Sequence, residues 1–187
     1  MADKDANKYK KMELLEHVYT IPDTYIGAVS ITQLKTYIYE DTSQRMIEKE
    51  LEYVPGLYKI FDEIIVNALD QCERLKASVA KGVENIKPVK TIRINIDKAS
   101  GKISVMNDGD GIDIIKHPEY DNVWIPELIF GSLLTSANYN QDEERLTGGK
   151  NGMGGKLTNI FSKEFIVETI DHRRGLIYTQ RFYDNMK

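Results

Sequence analysis

A single cysteine, Cys72, stands in the 187 residues, so no disulfide can form within the chain, and a reducing compartment is expected. No apolar run approaches the roughly eighteen residues that a membrane span requires. The first residues, Met-Ala-Asp-Lys-Asp-Ala-Asn-Lys-Tyr-Lys-Lys, are too polar for a secretory signal. An excess of basic charge is also missing. Lys and Arg number 25 against 29 Asp and Glu, a formal net charge of −4, which argues against strong nucleic-acid binding by this segment alone. There is no internal repeat and no low-complexity stretch. What remains is the composition of an ordinary soluble domain, long enough for one respectable core.

Residues 1–11 alternate charged and small polar side chains and read as an N-terminal arm or partner-binding strap ahead of a domain covering 12–187. A short helix, Met12 to His17, leads to Ile21-Pro-Asp-Thr-Tyr-Ile-Gly27, a turn bracketed by Pro22 and Gly27. Two strands follow, Val29 to Glu40 and Arg45 to Val54, and Pro55-Gly56 then punctuates the chain. A long helix reaches about Lys81. Thr91 to Asp97 alternates with period two, and Lys102 to Met106 returns from its hairpin loop. Trp124 to Leu134 reads as a helix with Pro126 in its first turn. A glycine-rich loop from Thr135 to Gly155 is long enough to be a lid or binding loop. Lys156 to Phe161 is a short helix, and Lys163–Ile170 with Leu176–Phe182 makes a last hairpin. This order predicts an α/β two-layer sandwich, with a mixed, mostly antiparallel sheet and helices on one face.

The long helix is the line of the chain richest in chemistry. Leu57, Ile60, Phe61, Ile64, Ile65, Ala68, Leu69, Cys72, Leu75 and Val79 recur with helical period and predict its core stripe. Glu63, Asn67, Asp70 and Arg74 fall within about 60° of one another on the opposite face. The plain alternative is a solvated helix face. Against it, Asn is a poor residue for a helix interior, and its amide oxygen one turn from a carboxylate suits a hard cation such as Mg²⁺ that keeps phosphate and water in the rest of its shell. The carboxylate is then free to take a proton from an attacking water.

Two glycine-rich stretches offer what such a cation needs. Gly148-Gly-Lys-Asn-Gly-Met-Gly-Gly-Lys156 lets backbone approach phosphate oxygens and adds the charges of Lys150 and Lys156. It is not a Walker A loop, because Leu157 stands where the hydroxyl is required. Its plain alternative is a flexible surface loop. Asn107-Asp-Gly-Asp-Gly111 follows a strand, and a carboxylate there can accept the exocyclic amine of adenine. The alternative for that stretch is a tight turn. Gly109-Asp-Gly111 is not a dinucleotide fingerprint, since Ile114 replaces its third glycine.

In this order the three stretches resemble the motifs of the Bergerat-fold (GHKL) ATPases. Within that superfamily, Pro22-Asp-Thr-Tyr-Ile-Gly27, Lys59 to Asp70, Leu134-Thr-Ser-Ala-Asn-Tyr139 and Gly152-Met-Gly-Gly-Lys-Leu-Thr-Asn-Ile-Phe-Ser162 resemble the ATPase domain of eukaryotic-type type II DNA topoisomerases. The resemblance runs from about Tyr9 to the last residue. It implies ATP and Mg²⁺ as cofactors, Glu63 as the general base and Asn67 as the metal ligand. Asp70 and Gln71 would sit beside the nucleotide, and Asp108 with Gly111 would read adenine. Ser136, Ala137 and Asn138 would reach the ribose and phosphates. Lys150, Asn151, Gly152, Met153, Gly154, Gly155 and Lys156 would close over the triphosphate. The family commonly has Asn where Asp108 stands, Arg where Lys150 stands and Tyr where Met153 stands, which puts the detail of the lid contacts in question and suggests a divergent, protist or viral, member.

The resemblance further implies an ATP-operated gate that forms a homodimer when ATP binds. DNA would be engaged through parts of the enzyme beyond this chain, in the nucleus or another intracellular, DNA-containing compartment, with no membrane involved. The transducer and DNA-cleavage domains are expected to lie outside the chain, so that the chain alone would hydrolyse ATP weakly. Two other readings are another GHKL enzyme, such as a histidine kinase, and a nucleotide-dependent dimerisation module without hydrolysis. His17, His117 and His172 are poor phosphoacceptors, and retention of Glu63 speaks against a binding-only module.

Overall fold

The structure, a computed structural model, describes residues 10–120, 122–135 and 152–187. The chain divides into two compact units, one ending at Tyr58 and the other running from Lys59 to Lys187. Eleven elements follow in order among the described residues: α1 Leu14–Thr20, α2 Asp23–Ile26, β1 Thr32–Glu40, β2 Arg45–Tyr53, α3 Pro55–Ala80, β3 Ile92–Asp97, β4 Lys102–Asn107, α4 Ile125–Gly131, α5 Gly154–Ile160, β5 Glu164–Asp171 and β6 Leu176–Tyr183.

Every described strand pair is an antiparallel hairpin: β1 with β2, β3 with β4, β5 with β6. The registers run from Thr32↔Tyr53 to Glu40↔Arg45, from Ile92↔Asn107 to Asp97↔Lys102, and from Glu164↔Tyr183 to Asp171↔Leu176. The strands and helices thus form the expected α/β architecture, with the ladders closed locally. In the first unit, the segment Pro22–Ile26, read as a turn, winds into a short helix ended by Gly27 at φ 84°. Gly56 N–H donates to the Ala28 carbonyl at 2.9 Å, which fastens the entrance of α3 to that helix's exit.

Pro55 does not break the chain but opens α3, since a first-turn proline gives up only an amide that the helix cannot use. The buried line of this helix is narrower than its sequence stripe. Ala68 and Leu75 are buried, whereas Leu57, Leu69 and Val79 are 58%, 49% and 48% exposed. Leu57 and Val79 lie in the first and last turns, and Leu69 stands about 100° from the Ala68 direction, off the buried line.

In the second unit, α4 packs on α5, and both lie against β5. Val167, Thr169 and Asp171 alternate as the buried face of β5. Two of them are polar because they carry the neighbouring segment. Thr169 Oγ1 accepts the Ile112 N–H at 2.9 Å, and Asp171 Oδ2 accepts the Ile114 N–H at 3.0 Å. Burial pushes the Asp171 carboxyl up, but the Ile114 N–H and the Arg174 guanidinium outweigh it and bring it down to about 2. The second glycine of the 107–111 turn is therefore laid directly along β5.

Candidate nucleotide site

Three glycines show how closely the expected motifs meet. A Cβ on Gly154 would collide with the Glu63 carboxylate, so the α3 acid rests on the opening residue of α5. A Cβ on Gly155 would come within 3.0 Å of the Phe130 ring and 3.5 Å of the Asn67 amide nitrogen. A Cβ on Gly111 would strike the Ile170 carbonyl oxygen and the Thr169 hydroxyl. All three positions are close for space rather than for backbone conformation, and at Gly111 the obstacle is backbone that cannot swing aside.

Glu63 is 21% exposed at its side chain, and its Oε1 lies 2.5 Å from Lys59 Nζ, one turn back on α3. That hydrogen bond holds the Lys59 ammonium above its ordinary value. Asn67 is exposed on the same face and Asp70 is half-buried. Gln71 is committed within the protein. Its Nε2 donates to the Asp110 carbonyl at 2.7 Å, tying α3 to the glycine turn, and its Oε1 accepts from Arg74 Nε at 3.0 Å.

Lys156 is nearly fully buried, and its Nζ donates to the carbonyls of Thr135 and Gly152. Burial lowers its ammonium from the ordinary 10.5 to about 8. The same short helix grips two other elements. Thr158 Oγ1 donates to the Ile60 carbonyl of α3 at 2.7 Å, and Asn159 Nδ2 to the Phe130 carbonyl of α4 at 2.9 Å. Met153 precedes α5, half-buried like Gly152. Ser136, Ala137, Asn138, Lys150 and Asn151 lie outside the described residues.

Asp108 is not placed as its expected role requires. It is exposed, and its Oδ1 accepts the Lys90 and Thr91 N–H groups at 2.7 and 2.8 Å, which continue the β3–β4 ladder past Ile92. The Thr91 and Lys90 amides hold its carboxyl below the usual carboxylate range. The acidic residues that line the neighbouring cleft are Asp110 and Asp113 instead. That cleft, of about 310 Å³, is bounded by Gln71, Arg74, Asp110, Gly111, Ile112 and Ile129, among others. Asp110 is 3% exposed, with Oδ1 bound by His172 Nδ1 at 3.1 Å and by the Lys87 N–H at 3.2 Å, and Oδ2 without a partner among the described residues. At the strand end, Asn107 is half-buried, and its Nδ2 donates to the Asp108 carbonyl at 3.1 Å, leaving Oδ1 without a donor among the described residues. Sequence reasoning passed over Asn107 because its neighbour carried the charge. It passed over Asp110 because an acid between two glycines looks like a solvated turn.

Comparison with known proteins places this arrangement. No protein-family model matches the chain. DNA topoisomerase 2 of Acanthamoeba polyphaga mimivirus is 46% identical over 183 residues, 96% of this chain and 14% of that protein. The ATPase region of Saccharomyces cerevisiae topoisomerase II matches with a TM-score of 0.87 and 47% identity, covering 97% of this chain and 45% of that one. The ATPase and transducer domains of Balamuthia mandrillaris topoisomerase II match equally well, over 97% of this chain and 43% of that one. The chain spans between 11% and 14% of the length of the curated relatives it matches. The fold is thus that of a GHKL ATPase region, as the motifs implied. Within that class the chain aligns, over nearly all its length, with the ATPase regions of eukaryotic-type DNA topoisomerase 2.

Proposed function

We propose that this chain is the ATP-binding and ATP-hydrolysing gate of a type II DNA topoisomerase, in which binding of Mg·ATP draws two copies together and so governs DNA passage. The observation that carries the reading is the meeting of Glu63 and Asn67 with Gly154 and Gly155. A carboxylate and an amide from one helix face stand against the two glycines that open α5. Both units together form the ATPase domain, with residues 1–11 as an arm ahead of it. DNA is a partner through other parts of the enzyme, and the setting is an intracellular compartment that contains DNA. No helix among the described residues is long and apolar enough to cross a membrane.

Glu63 takes the proton of the attacking water, its carboxylate being held between Lys59 Nζ and Gly154. Asn67 fits a magnesium ion of the kind that binds phosphate. It offers one amide oxygen from an exposed helix position, and no cluster of three acidic, histidine or cysteine side chains that could hold a metal alone occurs among the described residues. When bound, that ion would offset the negative charge of the phosphates. Gly154 and Gly155 admit phosphate close to backbone, and Lys156 with Lys150 supplies positive charge. Arg74 brings a guanidinium to the cleft. The base is read at the 107–111 turn, where Asn107 Oδ1 is an acceptor without a donor among the described residues and Gly111 and Ile112 give the base a surface.

The test is thermal unfolding of the chain with a non-hydrolysable ATP analogue, with Mg²⁺ and with EDTA, beside Glu63→Gln. Ligand at 100 times its dissociation constant should add about 2.7 kcal/mol of stability. That gain should require Mg²⁺ and survive in Glu63→Gln, whose residual hydrolysis should vanish. No Mg²⁺-dependent stabilisation would remove the nucleotide reading. Stabilisation with equal hydrolysis in both proteins would leave a nucleotide-dependent module in which Glu63 is not the base.

A further inference from the structure

Asp110 is the residue of the base-reading turn on which other parts of the chain converge. Its N–H donates to the Lys87 carbonyl at 2.9 Å, and its Oδ1 accepts the Lys87 N–H at 3.2 Å. Its carbonyl accepts from Gln71 of α3 at 2.7 Å. His172 Nδ1, in the tip that joins β5 to β6, meets the same Oδ1 at 3.1 Å. That contact is largely shielded, the side chains being 3% exposed at Asp110 and 22% at His172. Arg173 and Arg174 of the same tip are exposed where they pair with Asp113, and exposed pairs hold little. Residues 110, 112 and 114 alternate, and each is held by β5 or its tip: the Ile114 N–H by Asp171, the Ile112 N–H by Thr169, Asp110 by His172. Of the three, the His172 contact lies nearest in the chain to Asn107. The turn also runs close along residues 87–91. A Cβ on Gly109 would come within 2.9 Å of the Lys87 carbonyl oxygen and the Val89 nitrogen, and Asp108 takes the Lys90 and Thr91 amides. An edge fixed along one line can still hinge about it, and a tie from a different element limits that motion.

We propose that His172 is a positioning residue for base selection: through Asp110 it fixes the 107–111 turn in the place from which Asn107 Oδ1 can accept the adenine amine. The proposal rests on the base being read at that turn. His172 does not line the cleft of about 310 Å³ beside the turn; it lines a second cavity, of about 500 Å³, with Asn85, Ile86, Lys87 and Arg173. It therefore acts through Asp110 and not by touching the nucleotide. A hydrogen bond weakens steeply once its distance and angle leave a narrow range. A turn that drifts loses the bond that separates ATP from GTP, while Glu63 on α3 and Gly154 on α5 keep their places. Losing His172 should therefore raise KM and lower selectivity, and leave kcat alone.

The experiment has a binding and a spectroscopic arm. Affinities for non-hydrolysable ATP and GTP analogues are measured by calorimetry for the wild type, His172→Leu, His172→Asn, Asn107→Leu and the Asn107→Leu/His172→Leu double variant. The preference for ATP, at least about tenfold in the wild type, should fall to within about threefold in His172→Leu. The ratio of the two affinities is insensitive to the fraction of chain folded, so a loss of stability alone would not change it. Hydrolysis at saturating ATP should stay within about twofold of wild type. His172→Asn, whose amide stands where Nδ1 stood, should restore most of the preference. In the Asn107→Leu background, His172→Leu should cause no further loss, because no base reader is left to position. Separately, the chain has three histidines, and NMR should show the His172 ring resonances, identified by their absence in His172→Asn, move when Mg²⁺ and the ATP analogue bind the wild type. Should His172→Leu fail to fold, that result on the wild type decides. An unchanged preference in His172→Leu overturns the proposal, as does a further loss in the double variant or an unmoved ring at saturating analogue. A preference lost in Asn107→Leu but kept in His172→Leu refutes the role of His172 and leaves base reading at the turn. A preference that survives Asn107→Leu, or no analogue binding by the wild type, removes the site itself and the proposal with it.

Discussion

Asn67 and Glu63 stand one helical turn apart, and substitution separates their duties. Asn67→Ala should weaken analogue binding in a Mg²⁺-dependent manner, measured by calorimetry, and an equal loss in EDTA would make Asn67 merely structural. Base selection can be assigned in the same way at the glycine turn. The donation from Asn107 Nδ2 to the Asp108 carbonyl fixes which way the amide points, so Oδ1 is the acceptor offered. ATP presents an amino group to such an acceptor, whereas GTP presents a second acceptor. An unpaired buried polar group costs about 1–3 kcal/mol, so a preference for ATP of at least about tenfold is expected. Asn107→Leu should abolish that preference and Asp108→Ala should keep it. The opposite pattern would return base reading to Asp108.

Lys156 carries a pH dependence whose sign follows from its burial. Its folded value, about 8, lies below the 10.5 of an exposed lysine. Below about pH 8 both folded and unfolded chains hold the proton, and the full cost of burying the ammonium is present. Between about 8 and 10.5 the unfolded chain holds more protons, so stability rises with pH across that window. Binding of a phosphate favours the charged form and reverses the shift. Calorimetry of analogue binding at pH 9 in buffers of different ionisation enthalpy should therefore report proton uptake that is absent in Lys156→Met. Uptake of equal size in the variant would place the proton elsewhere.

At the scale of elements, the period of α3 was legible because a helix repeats its face, and the row Glu63, Asn67, Asp70, Arg74 emerges on it. The glycines at 111, 154 and 155 were legible as needed but for an incomplete reason. Sequence pattern assigns them to phosphate and base, while the structure shows each also making room for another element. Neither the Thr169 hydroxyl under Ile112 nor the His172 ring on Asp110 could be foreseen. These partners lie 57 and 62 residues apart, and no local period links them. The Asp108 and Asp110 roles were illegible for a related reason. Two acids one glycine apart in a turn look alike until one is seen to bind the Lys90 and Thr91 amides and the other to be buried.

Gly111 tests this packing directly. Gly111→Ala must push the turn off β5, since the obstacle is the Ile170 backbone carbonyl and not a flexible side chain. Overpacking of this kind costs about 1–3 kcal/mol. The Ile112 bond to Thr169 should be strained in the same movement. Chemical denaturation should show the loss of stability, and analogue affinity should fall at least about tenfold. Full affinity with reduced stability would mean that the turn supports the fold without shaping the nucleotide site.

For the whole molecule, charge bears on the proposed nucleotide-driven pairing of two copies. Residues 1–11 hold Lys4, Lys8, Lys10 and Lys11 against Asp3 and Asp5, a formal charge of +2. With −4 for the chain, residues 12–187 carry −6, the difference between −4 and +2. A basic arm can be attracted to its own acidic body or to that of another copy, so the sign of the charge alone does not decide between them. Nucleotide does, if the bound form offers a surface that a second copy completes. Sedimentation should then show monomer without ligand and dimer with Mg²⁺ and the non-hydrolysable analogue. Deletion of residues 1–11 should weaken the dimer without altering analogue affinity for the monomer. Raising salt should weaken the intact dimer more than the truncated one, because screening at 0.15 M and above acts on exposed charges more than about 8 Å apart. An analogue-bound chain that stays monomeric at concentrations well above those of the assay would overturn nucleotide-driven pairing. A dimer equally salt-sensitive with and without the arm would place the attraction elsewhere on the body.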